Sequence, residues 1–185
     1  MEMTDVMRTA INRAQWWTKE IMDAPDGFFG GDREGAAGFL LRYQACESSG
    51  LFSYGYTGGS VETLEGFVRA GAIVVDIRYI PRSRVPAWDG RSLADRLNEV
   101  TPGRDGYLWL PYLGNRNYRG GPIQLVNVRL GLDQLREHYD RQQVVVMCVC
   151  ECHETCHRSH VLKAFGKPFH IVGPRESSAV KEATW

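Results

Sequence analysis

The densest group of reactive side chains in the sequence lies between residues 148 and 158. Four of the five cysteines fall within nine residues: Cys148, Cys150, Cys152 and Cys156. His157 and Arg158 follow directly. Because thiolate sulfur is both a metal ligand and a nucleophile, this density indicates metal binding or thiol chemistry. An odd number of cysteines does not suit a disulfide framework, so a reducing cytoplasm is the expected location.

Two interpretations of this segment use the thiols as reactive groups. In one, Cys152 and Arg158 form a C-x5-R pattern between a strand and a helix, as in thiolate phosphatases, where an arginine and backbone N–H groups hold an oxyanion. In the other, Cys156, His157 and Arg158 begin a helix and line a substrate pocket. There the helix dipole attracts anions and lowers the pKa of a thiol.

A third interpretation is a zinc site, because zinc takes thiolate and imidazole ligands in tetrahedral geometry. The cysteine set for such a site is Cys148, Cys150, Cys152 and Cys156, with the nearby histidines His153, His157 and His160 as further candidates. The spacing lacks a second well-separated ligand pair, and Cys148 lies in a buried apolar run. We therefore expect a protein without metal or other cofactor, with zinc as the alternative.

A second group of polar side chains follows the apolar run AIVVDIR. Asp76 lies inside this run, where a buried carboxylate needs a partner, and Arg78 and Arg158 are the candidate partners. Arg78, Arg82 and Arg84 place three guanidinium groups in seven residues. One guanidinium group can donate two parallel hydrogen bonds to two oxygens of a phosphate, so this loop, with Ser83, is a candidate anion clamp.

Alternating strand and helix patterns must position these residues. Strands are predicted at 51–56, 72–78, 107–110, 143–150 and 168–172, and helices at 60–70, 92–100, 132–139 and 157–165. Strands separated by helices predict an α/β fold with a mainly parallel sheet of about five strands and helices on both faces. Residues 51–185 form this domain, and residues 1–50 are predicted to be a helical extension that packs on it.

Ligands of open α/β sheets bind beyond the carboxyl ends of the strands. The first strand ends in Gly55, Tyr56 and Thr57, and Gly114 and Asn115 follow the third. These segments, the arginine loop and the cysteine segment are therefore expected to share one edge of the sheet. Tyr56 and Trp88 are candidate surfaces for stacking a nucleic-acid base.

Composition sets limits on partners. Lysine plus arginine number 22, as do aspartate plus glutamate, so no global basic field draws the chain to nucleic acid or to an anionic membrane. Any nucleic-acid contact must come from a local patch. The sequence has no apolar run long enough for a membrane span, and its first residues do not resemble a secretory signal. Oligomeric state is not predicted.

At these motifs the chain resembles the family called domain of unknown function 488. The resemblance covers about residues 52–172 and rests on Tyr54 to Thr57, on a D-x-R-x-x-P-x-S-R block beginning at Asp76, on Leu113-Gly114, and on Cys148, Cys156, His157 and Arg158. The chain departs from the family pattern at Tyr56, Asn115 and Cys150, where the family usually has histidine, glycine and glutamate. The cysteine segment also resembles domain of unknown function 4326.

The leading functional hypothesis is an enzyme that acts on a nucleotide or nucleic acid, with N-glycosidic or related hydrolysis as the preferred reaction. In it Arg78, Arg82, Arg84 and Arg158 hold phosphate, and Asp76 stabilises an oxocarbenium-like centre or orients water. The alternative is a binding module for a nucleotide or nucleic acid without turnover, because the missing histidine and glutamate remove acid–base groups while the arginines remain.

Overall fold

Five short apolar runs form strands within residues 50–172, the part of the chain that the computed structural model describes. They are β1 (Leu51–Gly55), β2 (Ile73–Asp76), β3 (Tyr107–Trp109), β4 (Val144–Cys148) and β5 (His170–Val172). The strands rich in valine and isoleucine are buried throughout, as expected for strands covered on both faces.

The five strands form one sheet in the order β3-β2-β4-β1-β5, and every neighbouring pair is parallel. β4 lies at the centre, where Gly55 of β1 is opposite Cys148 and Asp76 of β2 is opposite Met147. This arrangement confirms the predicted sheet. It also brings the carboxyl ends of β1, β2 and β4 side by side.

Four helices connect the strands: α1 (Val61–Arg69), α2 (Gly90–Glu99), α3 (Val128–Tyr139) and α4 (His157–Phe165). Short 3₁₀ turns form at Pro86–Trp88 and Pro111–Leu113. Ser60 caps α1 as predicted, with its hydroxyl accepting from the backbone of Thr63. The predicted starts of α2 and α3 were wrong by two and four residues, because Asp89 and Asn127 cap these helices earlier.

The helices cover both faces of the sheet, as predicted. On one face, Phe52 of β1 packs its ring 4.8 Å from that of Phe67 in α1. On the other, Val146 of β4 belongs to a buried cluster with Leu135 of α3 and Val161 of α4. Because side chains alternate along a strand, each face receives a different set of polar groups at the carboxyl edge.

The helical extension predicted for residues 1–50 lies outside the described residues except for Gly50, and it stays a prediction, as does its packing on the domain. Residues 173–185 also lie outside them. No helix in the described part of the chain is long and apolar enough to cross a membrane.

Candidate functional site

The predicted site segments do meet at the carboxyl edge of the sheet, but they divide between its two faces. Asp76 and Arg78 lie on the face covered by α1 and α2, together with Tyr56 and Trp88. The cysteine segment lies on the face covered by α3 and α4. The segments expected at one edge therefore form two separate groups of side chains there, one on each face of the sheet.

Asp76 is fully buried and its carboxylate is saturated with hydrogen bonds. Arg78 donates to it from its backbone N–H (3.0 Å), from Nε (2.9 Å to both oxygens) and from Nη2 (2.5 Å). The Tyr107 hydroxyl donates at 2.7 Å. Burial and the charge of Asp76 raise the pKa of Tyr107, so this hydroxyl keeps its proton and donates it to the carboxylate.

Arg78 is the partner of Asp76, and the other candidate, Arg158, is not. The Arg78 guanidinium is 5% exposed and also donates from Nη1 to the Trp88 carbonyl oxygen at 2.7 Å. Burial alone would lower the pKa of Arg78, but its hydrogen bonds to the Asp76 carboxylate raise it above the ordinary value. The ion pair thus stays charged and ties the loop that ends at Trp88 to the end of β2.

Tyr56 and Trp88 are not free to stack a ligand base in this arrangement. Both are buried, and their rings stack on each other with centroids 4.4 Å apart and planes 10° apart. The Arg78 guanidinium carbon lies 5.3 Å from the Tyr56 ring centroid. The predicted stacking surface is therefore an internal stack that supports the Arg78 loop.

The remaining members of the predicted anion clamp lie on the surface. Arg82 and Arg84 are exposed, and Ser83 turns its hydroxyl inward to accept from the Val85 backbone N–H at 3.1 Å. Only these two arginines of the proposed phosphate set present their guanidinium groups to solvent.

The segment after β3 is a close-packed turn. A side chain at Gly114 would place a Cβ 2.6 Å from the Cα of Tyr79, so only glycine allows this approach. The Asn115 amide oxygen accepts from the backbone N–H groups of Asn117 and Gln124 at 3.1 and 2.9 Å. Both residues shape the loop, and the Asn115 side chain is engaged within it.

Arg158 is fully buried on the opposite face and bonds to three groups of the protein. It donates to the Ser53 hydroxyl (3.0 Å), to the Cys150 carbonyl oxygen (2.7 Å) and from Nε to the sulfur of Cys156 (3.5 Å). Cys152 is exposed and its thiol donates to Glu154 at 3.1 Å. The structure therefore does not bring the two ends of the C-x5-R pattern together.

Three thiols and one imidazole converge beside Arg158. The sulfur of Cys148 lies 3.8 Å from that of Cys150 and 3.5 Å from that of Cys156. His157 places Nδ1 3.6 Å from the Cys148 sulfur and 3.7 Å from the Cys156 sulfur. Cys152 lies outside this group, so the structure brings together three of the four cysteines of the alternative zinc set.

Negative charge in this group concentrates on Cys156. Hydrogen bonds from Cys148 and Cys150 lower the pKa of Cys156 far below its usual range, against the effect of burial. The bond with Cys150 lowers the pKa of Cys148, but the bond with Cys156 and burial raise it to about 12. Burial lowers the pKa of His157, but the bond and charge of Cys156 outweigh this and raise it. As the N-cap of α4, Cys156 also accepts from the Arg158 backbone N–H.

Gly55 and Thr57 join the end of β1 to this segment. A Cβ at Gly55 would lie 2.0 Å from the Cys150 carbonyl oxygen and 2.5 Å from Arg158 Nη2. The Thr57 hydroxyl donates to the Val149 carbonyl oxygen at 2.5 Å. The absence of a side chain at Gly55 is thus what lets Arg158 reach the Cys150 carbonyl.

Two buried polar residues lie next to Arg158: Ser53, which the sequence reasoning missed, and His153, which it considered only as a zinc ligand. The hydroxyl of Ser53 lies 2.9 Å from Nδ1 of His153, and both side chains are buried. Burial lowers the pKa of His153 to about 4, so the ring is neutral near pH 7. Ser53 lies in an otherwise apolar strand sequence. The only sequence signal for a buried hydrogen-bond partner was therefore the presence of a polar residue in that strand.

A group of exposed aromatic side chains at the β2 and β3 ends was also missed. Tyr79, Trp109 and Tyr118 are 37%, 44% and 51% exposed. The Tyr79 and Tyr118 rings lie 6.0 Å apart, and Trp109 donates its indole N–H to the Arg78 carbonyl oxygen at 2.9 Å. The signal that could have found them is the composition of segment 110–128, which is rich in glycine and asparagine and contains no carboxylate.

Comparison with known proteins gives one match. The family model described as "Domain of unknown function DUF488" matches residues 68–165, which include β2, β4 and α4. Searches of curated proteins and of solved structures returned no match.

Proposed function

Because the chain belongs to the DUF488 family, whose description gives no reaction, we propose a function from the chemistry of its surface. We infer that the chain binds single-stranded nucleic acid at the carboxyl ends of β2 and β3. The observation that carries this proposal is the group of exposed aromatic rings Tyr79, Trp109 and Tyr118, which we call the aromatic surface.

The aromatic surface offers ring faces at a fixed position. Trp109 is held by the bond of its indole to the Arg78 carbonyl, and the backbone of Tyr79 packs against Gly114. Bases of single strands stack on such rings regardless of sequence, and each stacked base contributes about 1–3 kcal/mol. Duplex bases are already stacked, so the surface favours single strands.

Local charge supports the same ligand. The two loops that border the aromatic surface, residues 77–88 and 110–128, contain five arginines and no aspartate or glutamate, although the whole chain has zero net charge. Four of these arginines are exposed: Arg82, Arg84, Arg116 and Arg119. The Arg119 guanidinium carbon lies 5.5 Å from the Tyr118 ring centroid. Cations interleaved with aromatic rings suit a phosphate backbone whose bases lie on the rings.

We propose binding without turnover, and not hydrolysis. N-glycosidic hydrolysis needs a carboxylate that meets the sugar or a water molecule. Within residues 50–172, every hydrogen bond that reaches the Asp76 carboxylate comes from Arg78 or Tyr107, and its side chain is 0% exposed. A catalytic role for Asp76 would therefore require the ion pair to open. Hydrolysis, the reaction that the sequence favoured, remains a prediction to be tested beside binding.

The test is fluorescence anisotropy of the full chain with labelled single-stranded DNA, single-stranded RNA and a duplex, at several salt concentrations. Tyr118→Ala should weaken single-strand binding by about 5- to 150-fold, the loss of one stacked base. Arg82→Ala should weaken binding less at high salt than at low salt and reduce the log–log salt slope by about 0.7 if one phosphate contact is lost. Arg141→Ala is the matched control, because this exposed arginine precedes β4 at the opposite edge of the sheet.

Two results would contradict the proposal. One is the absence of saturable single-strand binding at low salt. The other is an affinity for single strands that Tyr118→Ala and Arg82→Ala change no more than the control Arg141→Ala does. Mass spectrometry of the recovered oligonucleotide decides between binding and reaction. Intact mass is expected, and loss of a base would establish the hydrolase hypothesis instead.

A further inference from the structure

We propose that Cys148, Cys150, Cys156 and His157 hold one zinc ion in a tetrahedral site at the carboxyl end of β4. The ligand atoms are the three sulfurs and Nδ1 of the imidazole. This site lies on the α3 and α4 face, away from the aromatic surface, and it goes beyond the proposed nucleic-acid binding. It would join the end of β4, the following loop and the start of α4.

The spacing of the donor atoms fits zinc. A regular tetrahedron whose centre lies about 2.3 Å from each sulfur has edges of about 3.8 Å, and slightly shorter edges where a nitrogen replaces a sulfur. The sulfur–sulfur distances from Cys148 are 3.8 and 3.5 Å, and Nδ1 of His157 lies 3.6 and 3.7 Å from two of the sulfurs. All three sulfurs lie within 4.8 Å of one another, and His157 is not part of that mutually close group. The imidazole must therefore shift toward Cys150 to complete the tetrahedron.

The imidazole is held in the tautomer that a metal ligand needs. Nε2 of His157 lies 3.0 Å from the Ile77 carbonyl oxygen, and a carbonyl can only accept. Nε2 therefore carries a proton, and Nδ1 faces the Cys148 and Cys156 sulfurs. When zinc binds, any proton on Nδ1 leaves with the thiol protons and the Nδ1 lone pair becomes the fourth ligand. Histidines that bind metals almost always donate their other ring N–H to a carbonyl or carboxylate in this way.

Charge balance gives an independent reason. Arg158 is a fully buried cation, and no carboxylate in residues 50–172 forms a salt bridge with it. A buried charge without a counter-charge is costly. Zinc with three thiolates and one neutral imidazole carries one net negative charge, and Arg158 donates two N–H groups to the Cys156 sulfur. When zinc binds, the thiol protons leave to solvent and no atom changes oxidation state.

The site is closed, which points to a structural and not a catalytic ion. Cys148 and Cys156 are each 1% exposed and His157 is 8% exposed, and only Cys150 of the four ligands is half-buried. Four protein ligands complete the tetrahedron, so no coordination position remains for water or substrate. The fourth cysteine of the segment, Cys152, is exposed and bonded to Glu154, so it serves as a matched control.

The first experiment measures metal content. The full chain, purified without a metal-binding tag, should contain about one zinc per chain by elemental analysis. Cys152→Ser should retain this content, whereas Cys150→Ser should lose most of it. Removal of zinc with a strong chelator should lower the melting temperature of the wild-type chain and of Cys152→Ser alike.

The second experiment does not depend on a variant that folds. X-ray absorption at the zinc edge of the wild-type chain should give three sulfur neighbours and one nitrogen neighbour. Replacement with cobalt should give the intense visible absorption of a tetrahedral thiolate site. Zinc content below about a tenth per chain together with failure to bind added zinc or cobalt would overturn the proposal, as would a site with oxygen neighbours only. Full retention of zinc by Cys150→Ser would overturn the assigned ligand set.

Discussion

Replacing Asp76 with asparagine should sharply reduce stability. The substitution keeps the shape of the side chain, removes the charge opposite Arg78 and replaces one accepting oxygen with an NH₂ donor. Three groups of Arg78 and the Tyr107 hydroxyl donate to this carboxylate, and both partners of the ion pair are at least 95% buried. Removing one partner of a buried pair costs about 3–5 kcal/mol. The free energy of unfolding of a domain is only about 5–15 kcal/mol, so Asp76→Asn should be marginally stable.

Urea unfolding followed by circular dichroism measures this cost for Asp76→Asn, for Arg78→Met and for the double variant. Each single variant should lower the free energy of unfolding by about 3–5 kcal/mol. The double variant leaves no unpaired charge, so its loss should be smaller than the sum of the two by more than about 1 kcal/mol. A single-variant cost below about 1 kcal/mol, or strict additivity, would refute the assignment of Asp76 and Arg78 as a buried structural pair.

Three further predictions concern other parts of the fold. Gly55→Ala should destabilise the domain by at least about 1–3 kcal/mol in the same urea assay, because the new Cβ overlaps the Cys150 carbonyl oxygen; an unchanged midpoint would contradict this. His153, whose pKa burial lowers to about 4, stays neutral in the folded protein while the unfolded chain takes up a proton below about pH 6.5. Stability should therefore fall by up to about 1.4 kcal/mol per pH unit from pH 6.5 to 4 and this contribution should then level off, whereas His153→Gln should remove that part of the pH dependence. The bridge from Arg96 to Glu65 is 39% exposed at the arginine, so Arg96→Ala should cost less than about 1 kcal/mol, and a loss as large as that of a buried pair would contradict this.

The sheet was predictable because each strand and helix can be recognised from its own short stretch of sequence. The apolar runs around Val75 and Val146 are too short for helices and are bounded by turn residues, and the helices between them force parallel pairing. The helix starts were less predictable. Asn127 caps α3 ahead of Val128 and Leu130, two exposed apolar residues that do not follow the buried stripe of the helix.

The sequence predicted which segments carry the site, but it did not predict which side chains bond to each other there. Asp76, Arg78 and Cys148 were recognisable because polar or reactive side chains in apolar strands need partners. Which partner each takes depends on the face of the sheet to which it points, and a shift of one residue exchanges the faces. Sequence could not show that Arg158 lies behind β4 with Ser53, away from Asp76.

The position of β1 determines when the sheet can form during synthesis. Leu51 pairs with Val144, and Phe52 pairs with His170, so within residues 50–172 the strand made first lies between the two strands made last. At a translation rate of about 5–20 residues per second, β1 waits roughly 5–20 s for β4 to be made. During that time an apolar strand edge lacks its neighbours, and such non-local pairing also slows refolding of the completed chain. The nascent chain is thus expected to depend on chaperones that shield β1 until its partner strands have left the ribosome.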